Sequence, residues 1–139
     1  MSQTTPELMV GQTADGWQRA VHLEEVWGTV IVFDVRDAEL DLVALEEVKR
    51  EAVDFLHQVD RWFSTYKIET PISALRMEFA TLDQMPNVVQ EVLARCEYVR
   101  ELTNGAFDPW AVDGGVDPSG FVKGWGADVV ADMFVARGF

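Results

Sequence analysis

Val26-Trp27-Gly28-Thr29-Val30-Ile31-Val32-Phe33-Asp34-Val35 is the stretch that decides the fold. β-Branched and aromatic residues fill it, and they suit a pleated, half-buried surface better than a helix. It reads as a central strand or as the buried arm of a hairpin, with Gly28 marking a bulge or the close approach of another segment. Upstream, residues 17–23 read as a weaker strand with imperfect alternation, and residues 1–15 as a flexible N-terminal arm.

Downstream the period changes. Asp37 is placed to cap a helix over 38–63. Leu45, Val48, Ala52, Phe55, Leu56, Val59 and Phe63 form one apolar stripe along it. Glu46, Glu47, Lys49, Arg50, Glu51 and Asp54 take most other positions and read as a solvated face. His57 has no cysteine or second histidine spaced for zinc and reads as structural. Thr70-Pro71 breaks the helical pattern, and 78–82 reads as a weak strand or extended linker. Pro86 opens a second helix with the stripe Val89, Val92, Leu93, Cys96, Val99 and Leu102, which Asn104-Gly105 stops. A third helix is expected from Lys123 or Gly124, with Val129, Val130, Met133 and Phe134 inward. One strong strand and two weak ones against three helices give an α+β fold, a mixed sheet packed with helices. The imbalance implies further strands that are not in this chain.

The 139 residues suffice for one domain from 16 to 139. A net charge of −13 argues against non-specific nucleic-acid binding, because like charges repel. A bound phosphate must be held by local dipoles, by Lys123, or by a metal ion. The single cysteine, Cys96, lies in an apolar stripe and reads as a buried, inert thiol. Two histidines and one cysteine offer no nucleophilic triad. No secretory signal and no membrane-length apolar run is visible, which makes a cytoplasmic location the expectation.

The chemistry concentrates near the end, from Gly105-Ala106-Phe107-Asp108-Pro109-Trp110 to Val116-Asp117-Pro118-Ser119-Gly120-Phe121-Val122-Lys123-Gly124-Trp125-Gly126. Glycines let a backbone approach a ligand closely, and a helix start with a lysine suits an anion. The alternative is a long structural loop. Tyr66, beside a helix end, could stack on a planar ligand or pack at the core edge with its hydroxyl in water.

These segments together resemble the FAD:protein FMN transferases, the ApbE-like flavin transferases. Trp27-Gly28-Thr29 is similar to the family's Met-Gly-Thr, and Phe63-Ser64-Thr65-Tyr66 to its Phe-Ser-Thr-Tyr. Pro71-Ile72-Ser73-Ala74-Leu75 follows where the family has Ser-Glu-Ile-Ser-x-Leu-Asn. Thr103-Asn104-Gly105-Ala106-Phe107-Asp108-Pro109 resembles Thr-x-Gly-Ala-Phe-Asp-Pro. Asp117-Pro118-Ser119-Gly120-Phe121-Val122-Lys123-Gly124-Trp125 resembles Asp-Leu-Gly-Gly-Ile-Ala-Lys-Gly-Tyr/Trp. The five pieces stand in the family's order. Trp27 replaces methionine, Arg76 stands where asparagine is frequent, and Trp110 where threonine is usual.

The resemblance implies an ApbE-like fold and a Mg²⁺-dependent reaction. FAD is cleaved at its pyrophosphate, FMN passes to a threonine or serine hydroxyl of a target flavoprotein, and AMP is released. Carried over by position, Tyr66 and Trp27 would contact the flavin, with Ala106, Phe107 and Asp108 lining the same pocket. Asp117 and Lys123 would contact the cofactor, and the Gly120 carbonyl would face the metal. Family chains are far longer, and their later Gly-Gly-Asp motif and metal-ligating aspartate have no counterpart before Phe139. The chain is therefore expected to be the N-terminal half of such an enzyme. A non-catalytic FAD-binding module and a structural α+β interaction domain are the competing readings.

Overall fold

The computed structural model describes residues 7–139. Three strands, β1 (Met9–Gln12), β2 (Gln18–Val26) and β3 (Thr29–Asp37), precede four helices. The helices are α1 (Leu42–Phe63), α2 (Pro71–Arg76), α3 (Asn87–Leu102) and α4 (Ser119–Ala136). The fold is thus α+β. The chain divides into two compact units, one of residues up to His57 with 129–139, the other 58–128.

The first unit holds the sheet, ordered β1-β2-β3 and antiparallel throughout rather than mixed. Short turns join successive strands, and short turns can only link antiparallel neighbours. The stretch expected as one strand is divided: Val26 ends β2, Trp27-Gly28 is the turn, and β3 starts at Thr29. Trp27 (φ 58°) and Gly28 (φ 69°) are both left-handed, as a type I′ hairpin requires. Gly28 therefore marks a turn, not a bulge. Trp27 is a bulky residue in a region it normally avoids. Its indole Nε1 donates to the Leu56 carbonyl at 3.1 Å, which ties the turn to α1. Met9–Gln12 falls within the expected arm yet pairs with β2 through Met9 opposite Val21. Residues 1–6 of that arm lie outside the described residues.

The inner face of the sheet meets α1 and the last turns of α4. Ala20, Val26 and Phe33 pack with Leu45, Val48, Ala52, Val53, Leu56, Val130 and Phe134. The Phe33 and Phe134 rings meet edge-on at 5.3 Å. α1 starts at Leu42, not 38. Asp41 rather than Asp37 supplies the cap, accepting from the Val43 and Ala44 amides at 3.1 Å. Lys49, expected on the solvated face, is buried with its ammonium 2.7 Å from Glu46.

In the second unit, Thr70-Pro71 starts a helix instead of ending one. The Thr70 hydroxyl accepts from the Ser73 amide at 3.2 Å, and Pro71 takes the first helical position, where a missing N–H costs nothing. No strand forms over 78–82; a 3₁₀ turn at Leu82–Gln84 follows instead. Pro86 stands just before α3 as its cap residue. α3 ends as expected at Asn104-Gly105, both left-handed, with the Gly105 amide on the Arg100 carbonyl at 2.9 Å. α4 begins at Ser119, a turn earlier than the sequence suggested. Among the described residues no helix is long and apolar enough to cross a membrane.

Replacing Gly28 by valine should lower the unfolding free energy by about 1–2 kcal/mol, the cost of a left-handed β-branched residue. Urea denaturation of the two proteins would measure it. Equal stability would contradict the type I′ assignment.

Candidate functional site

The second unit collects the segments singled out for chemistry, apart from Trp27. Phe63, at the end of α1, meets Trp125 edge-on at 6.1 Å. Just beyond α1, the Ser64 carbonyl accepts from the Thr70 hydroxyl at 2.7 Å and from the Ser73 hydroxyl at 3.3 Å. The Lys67 carbonyl accepts from the same hydroxyls at 3.2 and 2.6 Å. Thr70 and Ser73 are buried, so these bonds satisfy groups that water does not reach.

The two glycine-rich stretches touch. The Asp117 amide donates to the Pro109 carbonyl at 2.8 Å. A Cβ built on Gly120 would sit 3.4 Å from Cε2 of Phe107, in van der Waals contact, so that ring lies close against the first turn of α4. Phe107 is half-buried, and its amide donates to the Thr103 hydroxyl at 3.0 Å. Ala106 beside it is exposed.

Tyr66 is 99% exposed, so its ring offers both faces to solution. Asp108 accepts from the Trp110 amide at 3.0 Å and lies 4.0 Å from the Arg100 guanidinium. Arg100 in turn sits 5.2 Å over the Trp110 ring. Asp117 is half-buried and caps α4: its carboxylate accepts from the Ser119 amide at 3.0 Å and from the Ser119 hydroxyl. Gly120 and Lys123 are helical, because α4 starts early. Lys123 is exposed, with no carboxylate partner among the described residues. Trp27 belongs to the other unit.

A hard dication needs several oxygen ligands. Among the described residues no three His, Cys, Asp or Glu side chains gather to hold a metal ion. The donors here do not form a Mg²⁺ shell: Asp117 is committed to Ser119, and Gly120 offers only a helical carbonyl. An apolar cleft of about 500 Å³ does open in this unit, lined by Leu75, Leu82, Leu93, Trp110 and Val116, with Gln90 and Glu97 at its polar side. None of the expected flavin contacts lines it. Cys96 is fully buried, and burial pushes its thiol up to about 11, so it is inert as expected.

Sequence reasoning missed one titratable cluster, in the first unit. Glu24 bridges His22 Nε2 at 2.8 Å and His57 Nε2 at 2.6 Å. His22 and Glu24 sit between Ala20 and Val26 on the buried face of β2, so polar residues fill inward positions and the apolar alternation of that strand is imperfect. His22 Nδ1 is buried without a hydrogen-bond partner. Burial works to raise the Glu24 carboxyl, but the bonds from His57 and His22 outweigh it and hold Glu24 below the ordinary value of 4.5.

A carboxylate lowered on folding stabilises the native state in full above its unfolded value, and that stability fades as pH falls through the lowered one. Glu24→Gln should therefore cost about 1.5–3 kcal/mol at pH 7. The gap from wild type should narrow below pH 4.5. Denaturation midpoints at several pH values would show it, and a pH-independent gap would refute the bridge. Compared with known protein families, curated proteins and solved structures, the chain matches none.

Proposed function

We propose that this chain binds FAD as part of a FAD:protein FMN transferase. In that reaction the hydroxyl oxygen of an acceptor threonine or serine bonds to the flavin-side phosphorus. The pyrophosphate P–O bond breaks, and AMP leaves. The observation that carries the reading is the junction of the two glycine-rich stretches through Asp117, Pro109, Phe107 and Gly120. Five family-like segments in order are one line of support, and four of them knit into one unit of 71 residues is another.

In this reading the chain's own residues bind and orient. Tyr66 offers an exposed ring to the isoalloxazine, and Lys123, on the second turn of α4, offers charge to the diphosphate. Mg²⁺ belongs to the implied chemistry, and among the described residues no three His, Cys, Asp or Glu side chains gather for it.

Quenching of flavin fluorescence on titrating the chain into FAD tests the reading. Tyr66→Ala should weaken binding about tenfold, since one stacked ring is worth about 1–3 kcal/mol. The melting temperature should hold, because the ring buries nothing. Binding that is accompanied by AMP release, with Mg²⁺ and a threonine-containing acceptor peptide present, supports transfer. Binding without AMP release favours the non-catalytic module, and no binding at all sinks the proposal.

A further inference from the structure

We infer that Arg76 is a positioning residue: it fixes the Gly114-Gly115-Val116 turn and, through it, Asp117 at the start of α4. The inference rests on the flavin-site reading for its purpose, though not for its geometry. Arg76 ends α2, and its Nη1 donates to the Val116 carbonyl at 2.8 Å, with the Gly115 carbonyl at 3.5 Å. The turn it holds is one that only glycines make easily. Gly114 (φ 85°) and Gly115 (φ 102°) are both left-handed. A Cβ on Gly114 would stand 3.0 Å from Arg76 Nη2, so the guanidinium occupies the space a side chain there would need.

The position of Arg76 in the network gives the contact its consequence. α2 is pinned at its start by Thr70 and Ser73, whose hydroxyls reach the Ser64 and Lys67 carbonyls on either side of Tyr66. Arg76 carries that anchorage from the other end of α2 to Val116. The next residue, Asp117, donates its amide to Pro109 and accepts from Ser119 with its carboxylate. One side chain thus links the segment bearing the exposed aromatic ring to the turn that precedes Gly120 and Lys123. No carboxylate pairs with Arg76 among the described residues, so its charge is spent on backbone carbonyls alone. A charged donor to a carbonyl is stronger than a neutral amide would be.

Two readouts on the full chain, without added metal, test this. Amide hydrogen exchange of Asp117 in the free protein reads the turn itself. Arg76→Ala should lower its protection about tenfold or more, the loss expected of a charge-assisted bond. Arg76→Lys, which keeps a donor but not the fork, should fall between wild type and alanine. The FAD dissociation constant reads the purpose: measured where every variant stays folded, it should rise about tenfold in Arg76→Ala and be partly rescued in Arg76→Lys. Unchanged exchange at Asp117 would overturn the inference. Faster exchange with unaltered FAD affinity would overturn it too, leaving Arg76 a brace for the loop only. If the wild-type chain bound no FAD, the functional proposal would fall, and the exchange result would then decide the brace on its own.

Discussion

Thr70 and Ser73 are buried hydroxyls, and the second unit depends on where their hydrogen bonds go. A buried hydroxyl without a partner costs about 1–3 kcal/mol, and a helix ends with carbonyls that have none. Both debts are settled at once on the Ser64 and Lys67 carbonyls just past α1. The chain is drawn back on itself, Pro71 is set at a helix start, and α2 runs from there to Arg76. Alanine at either position would leave each carbonyl with a single hydroxyl partner.

Periodicity made the helices legible. Leu45, Val48, Ala52, Leu56, Val59 and Phe63 are buried on α1, and Val89, Val92, Leu93 and Cys96 on α3. The stripe fails at Leu102, which is 69% exposed. What stayed hidden were residues whose state depends on distant partners. Trp27 reads as a strand residue by propensity, yet the Leu56 carbonyl, far along the chain, helps hold it in a left-handed turn. Thr70-Pro71 reads as a break in the helical pattern, and the capping bond from the Ser73 amide makes it the start of one. Lys49 reads as solvent-facing on a helical wheel, but burial is set by what packs against the wheel.

The candidate site was legible by residue type and order more than by contact. Aromatic, glycine and lysine positions could be named from the sequence, whereas the Phe107–Gly120 approach and the Arg76–Val116 bond join residues far apart in the chain. Charge helps to place an anion. Arg19, Arg36, Lys49, Lys67, Arg100 and Arg137 each meet a carboxylate. Arg50, Arg61, Arg76, Arg95 and Lys123 show no carboxylate partner among the described residues, and of these only Arg76 and Lys123 lie in or against the glycine-rich stretches. In a chain of net charge −13, an unneutralised cation is where an anion meets the least repulsion.

The start of α4 sharpens that argument. A free helix N-terminus favours an anion by about 0.3–1 kcal/mol. Here the Ser119 amide is already bonded to the Asp117 carboxylate, and the Phe121 and Val122 amides to the Pro118 carbonyl. A phosphate placed against Ser119 would also face Asp117 at close range. At an effective dielectric near 20, two like charges about 4 Å apart repel by about 4 kcal/mol, more than the helix end returns. An anion at this terminus must therefore sit off the axis, toward the Gly120 amide and Lys123 and away from Asp117. On that side the Gly120 backbone, the Phe107 ring against it and the Lys123 ammonium one turn further along are the groups the helix presents.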